Sequence, residues 1–185
     1  MINSHPEPRK FGAIIEPWQR EIVEPKLAAL EGLCGMRKYE GPMGFLTVLA
    51  RGHDKSSLEA RLIAGALCFS KRKIEGYLCA ADKDQASLIL RAMKDEAELN
   101  PWWGAKLEFT SNRVSGPAGS VEVVPADAGS AAGFRGNLYV MDEVTHWKNK
   151  KVWDMVATGW QKIPGSLLIC ITNAGIIGSW QHELL

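Results

Sequence analysis

Gly44-Phe45-Leu46-Thr47-Val48-Leu49-Ala50, followed at once by Arg51-Gly52-His53-Asp54-Lys55-Ser56-Ser57, is the stretch that decides the fold. Its first seven residues form a short apolar run after a Gly- and Pro-containing segment, the pattern of a buried strand. From Ser56 to Ser70, Leu58, Leu62, Ala66 and Phe69 recur at helical spacing. The order is therefore strand, short polar loop, helix.

The alternation continues outward from there. Ile74 to Ala81 reads as a second strand, and Asp82 can cap a helix with Ala86, Ile89, Leu90, Met93 and Ala97 on one face, ending before Asn100-Pro101. Lys106 to Phe109 and Ser120 to Val124 read as short strands around the turn-forming Gly116-Pro117 and Gly119. Asn137 to Met141 and Ser166 to Thr172 supply two more buried strands, with a helix over Val152 to Trp160 between them. Strands alternating with helices imply an α/β fold whose mainly parallel sheet is covered on both faces. In such folds ligands sit beyond the carboxyl ends of the strands.

Composition sets the bounds. With 185 residues a single domain is expected, and 46% apolar against 23% charged residues describes a globular chain. Twenty-two Lys and Arg against 21 Asp and Glu leave a formal charge of +1, so bulk charge announces neither a nucleic acid nor a membrane. Cys34, Cys68, Cys79 and Cys170 are widely spaced and form no metal-binding pair, so reduced, buried thiols are expected. No apolar run approaches the ~20 residues needed to span a bilayer, and no membrane partner is expected.

Three strand ends carry candidate chemistry. Lys55-Ser56 matches the end of the phosphate-binding pattern G-x-x-x-x-G-K-[ST], in which backbone amides and a helix N-terminus cradle phosphates, but Leu49 and Asp54 occupy both glycine positions. A solvated helix start is the alternative for this segment taken alone. Leu138 to Met141 runs into Asp142-Glu143, placing one carboxylate where it can hold a metal through its water shell and another where it can polarise water. Thr172-Asn173-Ala174-Gly175 ends the last strand, and is either a phosphate-sensing pair or a simple turn.

Taken in this order, the motifs resemble the ATPase domain of the large terminase subunit of tailed bacteriophages. The resemblance rests on Pro17-Trp18-Gln19, the loop from Ala50 to Ser56, Ala80-Ala81-Asp82 with Gln85-Ala86, Gly133-Phe134-Arg135-Gly136, Met141-Asp142-Glu143 and Ile171 to Gly175. It implies a three-layer P-loop NTPase of the ASCE, RecA-like type. One ATPase domain would span residues 1–185, with an N-terminal adenine-motif region over 1–40 and the core sheet over 41–185. By the same resemblance Gln19 reads adenine beside Trp18. Gly52, His53, Asp54, Lys55, Ser56 and Ser57 bind the nucleotide, and Ser56 and Asp142 hold Mg²⁺. Glu143 is the catalytic base, Arg51 senses phosphate within the subunit, and Arg135 is a finger for a neighbouring subunit. Thr172 and Asn173 couple hydrolysis to motion. The implied setting is the bacterial host cytoplasm. There a homo-oligomeric ring docked transiently at the procapsid portal would use ATP to translocate double-stranded DNA, with the portal protein and the small terminase subunit as partners.

Two departures bear on this reading. Asp54 adds a negative charge and a Cβ where the loop favours glycine, so a nucleotide-binding or assembly module without effective hydrolysis stays open. The clustered acids of the family's nuclease domain are not found, so nuclease activity is not expected of this chain. The basic clusters Lys71-Arg72-Lys73 and Lys148, Lys150, Lys151 read as solvated surface, and Trp102-Trp103 as packing.

Overall fold

Apolar runs bounded by glycine, proline or charge pair into one sheet, and the segments with helical spacing cover it. The computed structural model describes residues 11–50, 52–53, 55–126 and 134–184. Seven strands are present among them: β1 (Gly44–Val48), β2 (Ile74–Ala80), β3 (Glu108–Phe109), β4 (Arg113–Gly116), β5 (Gly119–Pro125), β6 (Leu138–Asp142) and β7 (Leu167–Thr172). Their order is β1-β7-β6-β2-β5-β4-β3. The first five in this order run parallel, and β4 and β3 extend the sheet antiparallel. The helices are α1 (Phe11–Ile14), α2 (Pro17–Leu33), α3 (Lys55–Phe69), α4 (Lys83–Leu99), α5 (Pro101–Gly104) and α6 (Lys151–Lys162), with 3₁₀ turns at Val144–His146 and His182–Leu184.

Period-two alternation along the central strands feeds two cores. On one face Leu78, Val140 and Ile169 pack under Leu30 of α2, Ile63 and Leu67 of α3, and Met93 of α4. On the other, Tyr139, Met141, Leu168 and Cys170 pack under Val152 and Val156 of α6. The expected three-layer α/β architecture is thus present, and β6 and β7 are buried at every residue.

β1 departs from the buried strand expected of its sequence. Among the described residues it is an edge strand with a neighbour on one side only, and Leu46 and Val48 are 41% and 40% exposed. The strand expected over Lys106 to Phe109 shortens to two residues, because the amides of Lys106 and Leu107 donate to the carbonyls of Trp103 and Gly104 and close the end of α5. The turn-rich segment forms the β4–β5 hairpin, whose first strand is an addition to the elements expected from the sequence. The segment read only as an adenine-motif region contains α2, a 17-residue helix. The tryptophan pair divides: Trp103 is buried, whereas Trp102 is exposed with its ring 5.8 Å from that of Phe69. All four cysteines are free and buried, and burial pushes the Cys79 and Cys170 thiols up to about 12, far from the reactive thiolate. Among the described residues no helix is long and apolar enough to cross a membrane.

Two glycines give opposite expectations. Gly119 has φ +145°, and a Cβ there would meet the Ile74 carbonyl oxygen at 1.9 Å, whereas a Cβ on Gly65 inside α3 would meet nothing within 4 Å. Gly65→Ala should stabilise the fold by about 0.5–1 kcal/mol through helix propensity, and Gly119→Ala should destabilise it by about 2 kcal/mol or more. Urea unfolding of both variants checks the pair; equal effects would contradict the packing described.

Candidate functional site

A parallel sheet brings the carboxyl ends of its strands to one edge, and three adjacent strands here end in chemistry. β1 leads through Leu49 and Ala50 into the loop before α3, β7 ends at Thr172-Asn173, and β6 ends at Asp142-Glu143. Because β7 lies between β1 and β6, Asn173 stands between Lys55 and Glu143. Lys55 Nζ donates to Asn173 Oδ1 at 2.7 Å, Asn173 Nδ2 donates to Glu143 Oε2 at 2.7 Å, and Lys55 Nζ lies 3.3 Å from Glu143 Oε1. The ammonium also donates to the carbonyls of Leu49 (2.9 Å) and Ala50 (3.3 Å), just beyond the end of β1. At 7% exposure, such an ammonium needs these oxygens to offset its lost hydration.

Glu143 adopts φ 49°, ψ 47°, the left-handed region, and is the one non-glycine residue with positive φ among those described. Conformations of this kind cost on the order of 1–3 kcal/mol and persist where surrounding bonds enforce them. Trp147 Nε1 donates to the Asp142 carbonyl at 3.0 Å, and the His146 amide donates to the Glu143 carbonyl at 2.8 Å. The Thr145 amide donates to Thr172 Oγ1 at 3.1 Å, and the Thr172 hydroxyl donates to Thr145 Oγ1 at the same distance. The backbone thus turns sharply after β6, and the Glu143 carboxylate meets Lys55 and Asn173.

Asp142 shares the parity of Leu138 and Val140 and so faces the α3 side of the sheet. It is 2% exposed, and its Oδ1 has no hydrogen-bond partner. Burial, then the charges of Glu143 and Glu59, push its carboxyl from an ordinary 3.8 up to about 7, against a lowering by Lys55. A buried carboxylate oxygen without a donor is what a hard divalent cation, or its water shell, would satisfy.

A cleft of about 520 Å³ opens beside these groups. Gly52, His53, Lys55, Ser56, Ser57 and Glu143, all named from the sequence, line it together with Ala81, Asp82, Gln85 and His146. The last four had no assigned role at the site. Asp82, named in sequence as a helix cap and, with Ala81 and Gln85, as part of the family resemblance, does cap α4, accepting from the Gln85 amide at 2.9 Å. His146 reaches 3.8 Å from Glu143 Oε2 because the 3₁₀ turn folds it back, which no sequence spacing announces. Gln19 lines a narrow adjoining hollow with Trp18, Ile22, His53 and Arg61 rather than the cleft itself, and its Oε1 accepts from the Glu16 amide at 2.9 Å. His53 borders both spaces, with its ring 5.5 Å from that of Trp18. Arg135 is exposed just before β6, where Asn137 is bonded to the start of β2 through the Glu75 amide and Lys73 carbonyl. It therefore lies at the opposite end of the sheet from Glu143. Arg51, Asp54 and Gly133 lie outside the described residues.

The raised Asp142 pKa has a definite sign. The folded state holds this proton more tightly than the unfolded chain, so without metal its contribution to stability falls as pH rises from about 4 through about 7. Asp142→Asn should match the wild type near pH 4 and exceed it at pH 8 by up to about 4 kcal/mol. Urea unfolding in chelator at both pH values checks this, and a variant that parallels the wild type throughout would contradict it.

The chain matches the family described as terminase large subunit, ATPase domain, over residues 34–185. No curated protein sequence matches it. Among solved structures, the large terminase of bacteriophage HK97 aligns with TM-score 0.72 and 18% identity over 92% of this chain and 35% of that one. The large terminase ATPase domain of Thermus phage P74-26 aligns with TM-score 0.57 and 17% identity over 83% of this chain and 71% of that one. The large terminase of a thermophilic bacteriophage, in complex with ATP-γ-S, aligns with TM-score 0.60 and 10% identity over 85% and 40% of the respective chains. At such identities the likeness is one of fold, that of a P-loop NTPase, and this chain spans about a third of the HK97 protein's length. With the match extending from before β1 to beyond β7, the chain belongs to the ATPase domain family of phage terminase large subunits.

Proposed function

We propose that this chain hydrolyses ATP in a Mg²⁺-dependent reaction and that the released energy drives double-stranded DNA into a procapsid. The observation that carries this reading is the Lys55–Asn173–Glu143 bridge beside the unpartnered oxygen of Asp142. The ATP-γ-S complex of the thermophilic bacteriophage's terminase supports a nucleoside triphosphate as ligand.

In this mechanism the triphosphate lies against residues 52–57 at the N-terminus of α3, where free amides and the helix dipole favour anions. Lys55 exchanges Asn173 and Glu143 for phosphate oxygens. Glu143, released from the ammonium, accepts a hydrogen bond from a water placed in line with the γ-phosphorus. As the new P–O bond forms, the water proton passes to Glu143 and the bond to the β-phosphate oxygen breaks, leaving ADP and phosphate. Ser56 and Asp142 would hold Mg²⁺, which supplies neutralisation of the charge on the phosphate oxygens. Loss of the γ-phosphate lets Lys55 return to Asn173. Thr172, bonded to Thr145, links that return to the turn carrying His146.

Gln19 and Trp18 would meet the base, and Arg51 the phosphates of its own subunit. Arg135, remote from this chain's cleft, would act on a neighbour in a homo-oligomeric ring. Portal protein and small terminase subunit are the proposed partners, in the cytoplasm of a bacterial host. Asp54 favours a second reading, a nucleotide-binding or assembly module with little turnover. It predicts that Asp54→Gly raises wild-type ATPase activity severalfold, whereas the hydrolytic reading predicts measurable turnover before any change.

Glu143→Gln should lower ATP turnover by about 100-fold or more while ATP-γ-S still binds, and Lys55→Ala should weaken the binding itself. Steady-state phosphate release and calorimetric titration check both; undiminished hydrolysis by the Glu143 variant would overturn the assignment.

A further inference from the structure

Beneath the site lies an ion pair that no part of this chemistry uses. Lys26 Nζ of α2 is 2.8 Å from Glu59 Oε1 of α3, and the side chains are 2% and 1% exposed. Each interrupts a buried stripe. Lys26 stands among Val23, Leu30 and Leu33 on α2, and Glu59 among Lys55, Leu62 and Ile63 on α3. Glu59 Oε2 has no hydrogen-bond partner. Stability alone does not account for the pair, since apolar residues of similar volume commonly serve as well or better in such positions.

Its place in the fold suggests what it does. Lys26 is two turns beyond Gln19 on the same face of α2, about 10 Å along the axis, and Glu59 is one turn beyond Lys55 on α3, about 6 Å. The pair thus joins the helix whose first turn carries Gln19 to the helix whose first turn carries Lys55 and Ser56. Leu30 of α2 and Ile63 of α3 belong to one apolar core, and apolar contacts of that kind tolerate sliding in a way that a short charged hydrogen bond does not. Glu59 is also among the charges felt by Asp142.

We infer that Lys26 and Glu59 are positioning residues that lock the base-binding helix to the phosphate-binding helix, so that base and triphosphate are gripped as one unit. This rests on the nucleotide reading above. It separates two affinities: breaking the lock weakens a ligand that spans both helices and spares one that touches α3 alone.

The test titrates wild type and Lys26→Met/Glu59→Met with Mg²⁺ and either ATP-γ-S or inorganic tripolyphosphate, alongside thermal unfolding. The double variant should unfold no earlier than the wild type and bind tripolyphosphate within about twofold, yet lose about tenfold in ATP-γ-S affinity. A folded double variant that binds ATP-γ-S as the wild type does would overturn the inference alone. Wild type that binds neither ligand would overturn the nucleotide reading and the inference together. Should the double variant not fold, Glu59→Asp, which keeps the charge and shortens its reach, is combined with Gln19→Ala. Non-additive losses in ATP-γ-S affinity support the lock, and additive losses overturn it.

Discussion

Asn173 occupies a position that calls for a group able both to accept and to donate. Its neighbours on either side are a cation and an anion, Lys55 and Glu143, held at the ends of flanking strands by the order β1-β7-β6. A carboxamide presents an acceptor to one and donors to the other; an acid would repel Glu143 and a base would repel Lys55. The sheet imposes the spacing, because parallel neighbours lie ~4.8 Å apart and end on the same edge. The left-handed Glu143 and the turn that follows it, held by Trp147 and by the Thr145–Thr172 pair, bring the carboxylate to that bridge.

The electrostatics beneath the bridge are unbalanced in a useful direction. Asp142 is buried, Glu143 is the next residue and Glu59 adds a third acidic charge; burial first, and then these charges, let Asp142 hold its proton up to about pH 7. Lys55 and Lys26 compensate in part, each committed to a glutamate. In the proposed reaction a triphosphate draws Lys55 away from Glu143, and Asp142 with Ser56 would hold a divalent cation, which would supply positive charge beside the acids.

Much of this was legible from residues. The fully buried β6 and β7 are continuous apolar runs, and the residues after them proved to meet Lys55, as strand-end logic requires. What failed to show depends on tertiary neighbours. The apolar run of β1 does not reveal that nothing described pairs with its outer edge. Four residues of mixed polarity, Arg113–Gly116, carry too little periodicity to mark β4 before its hairpin is closed. Lys26 and Glu59 look like surface charge in sequence, because burial of a pair is set by how two helices meet. Asp82, Gln85 and His146 reach the cleft only once α4 and the 3₁₀ turn are placed. Gln19 is found on an adjoining wall, separated from the cleft by His53.

The most direct test of the central claim is a structure of the chain with Mg²⁺ and a non-hydrolysable ATP analogue. The account predicts phosphates against the backbone of residues 52–57, Lys55 Nζ transferred from Asn173 and Glu143 to phosphate oxygens, and Asp142 facing the cation. Phosphates bound elsewhere, with the Lys55–Asn173–Glu143 bridge intact, would contradict it.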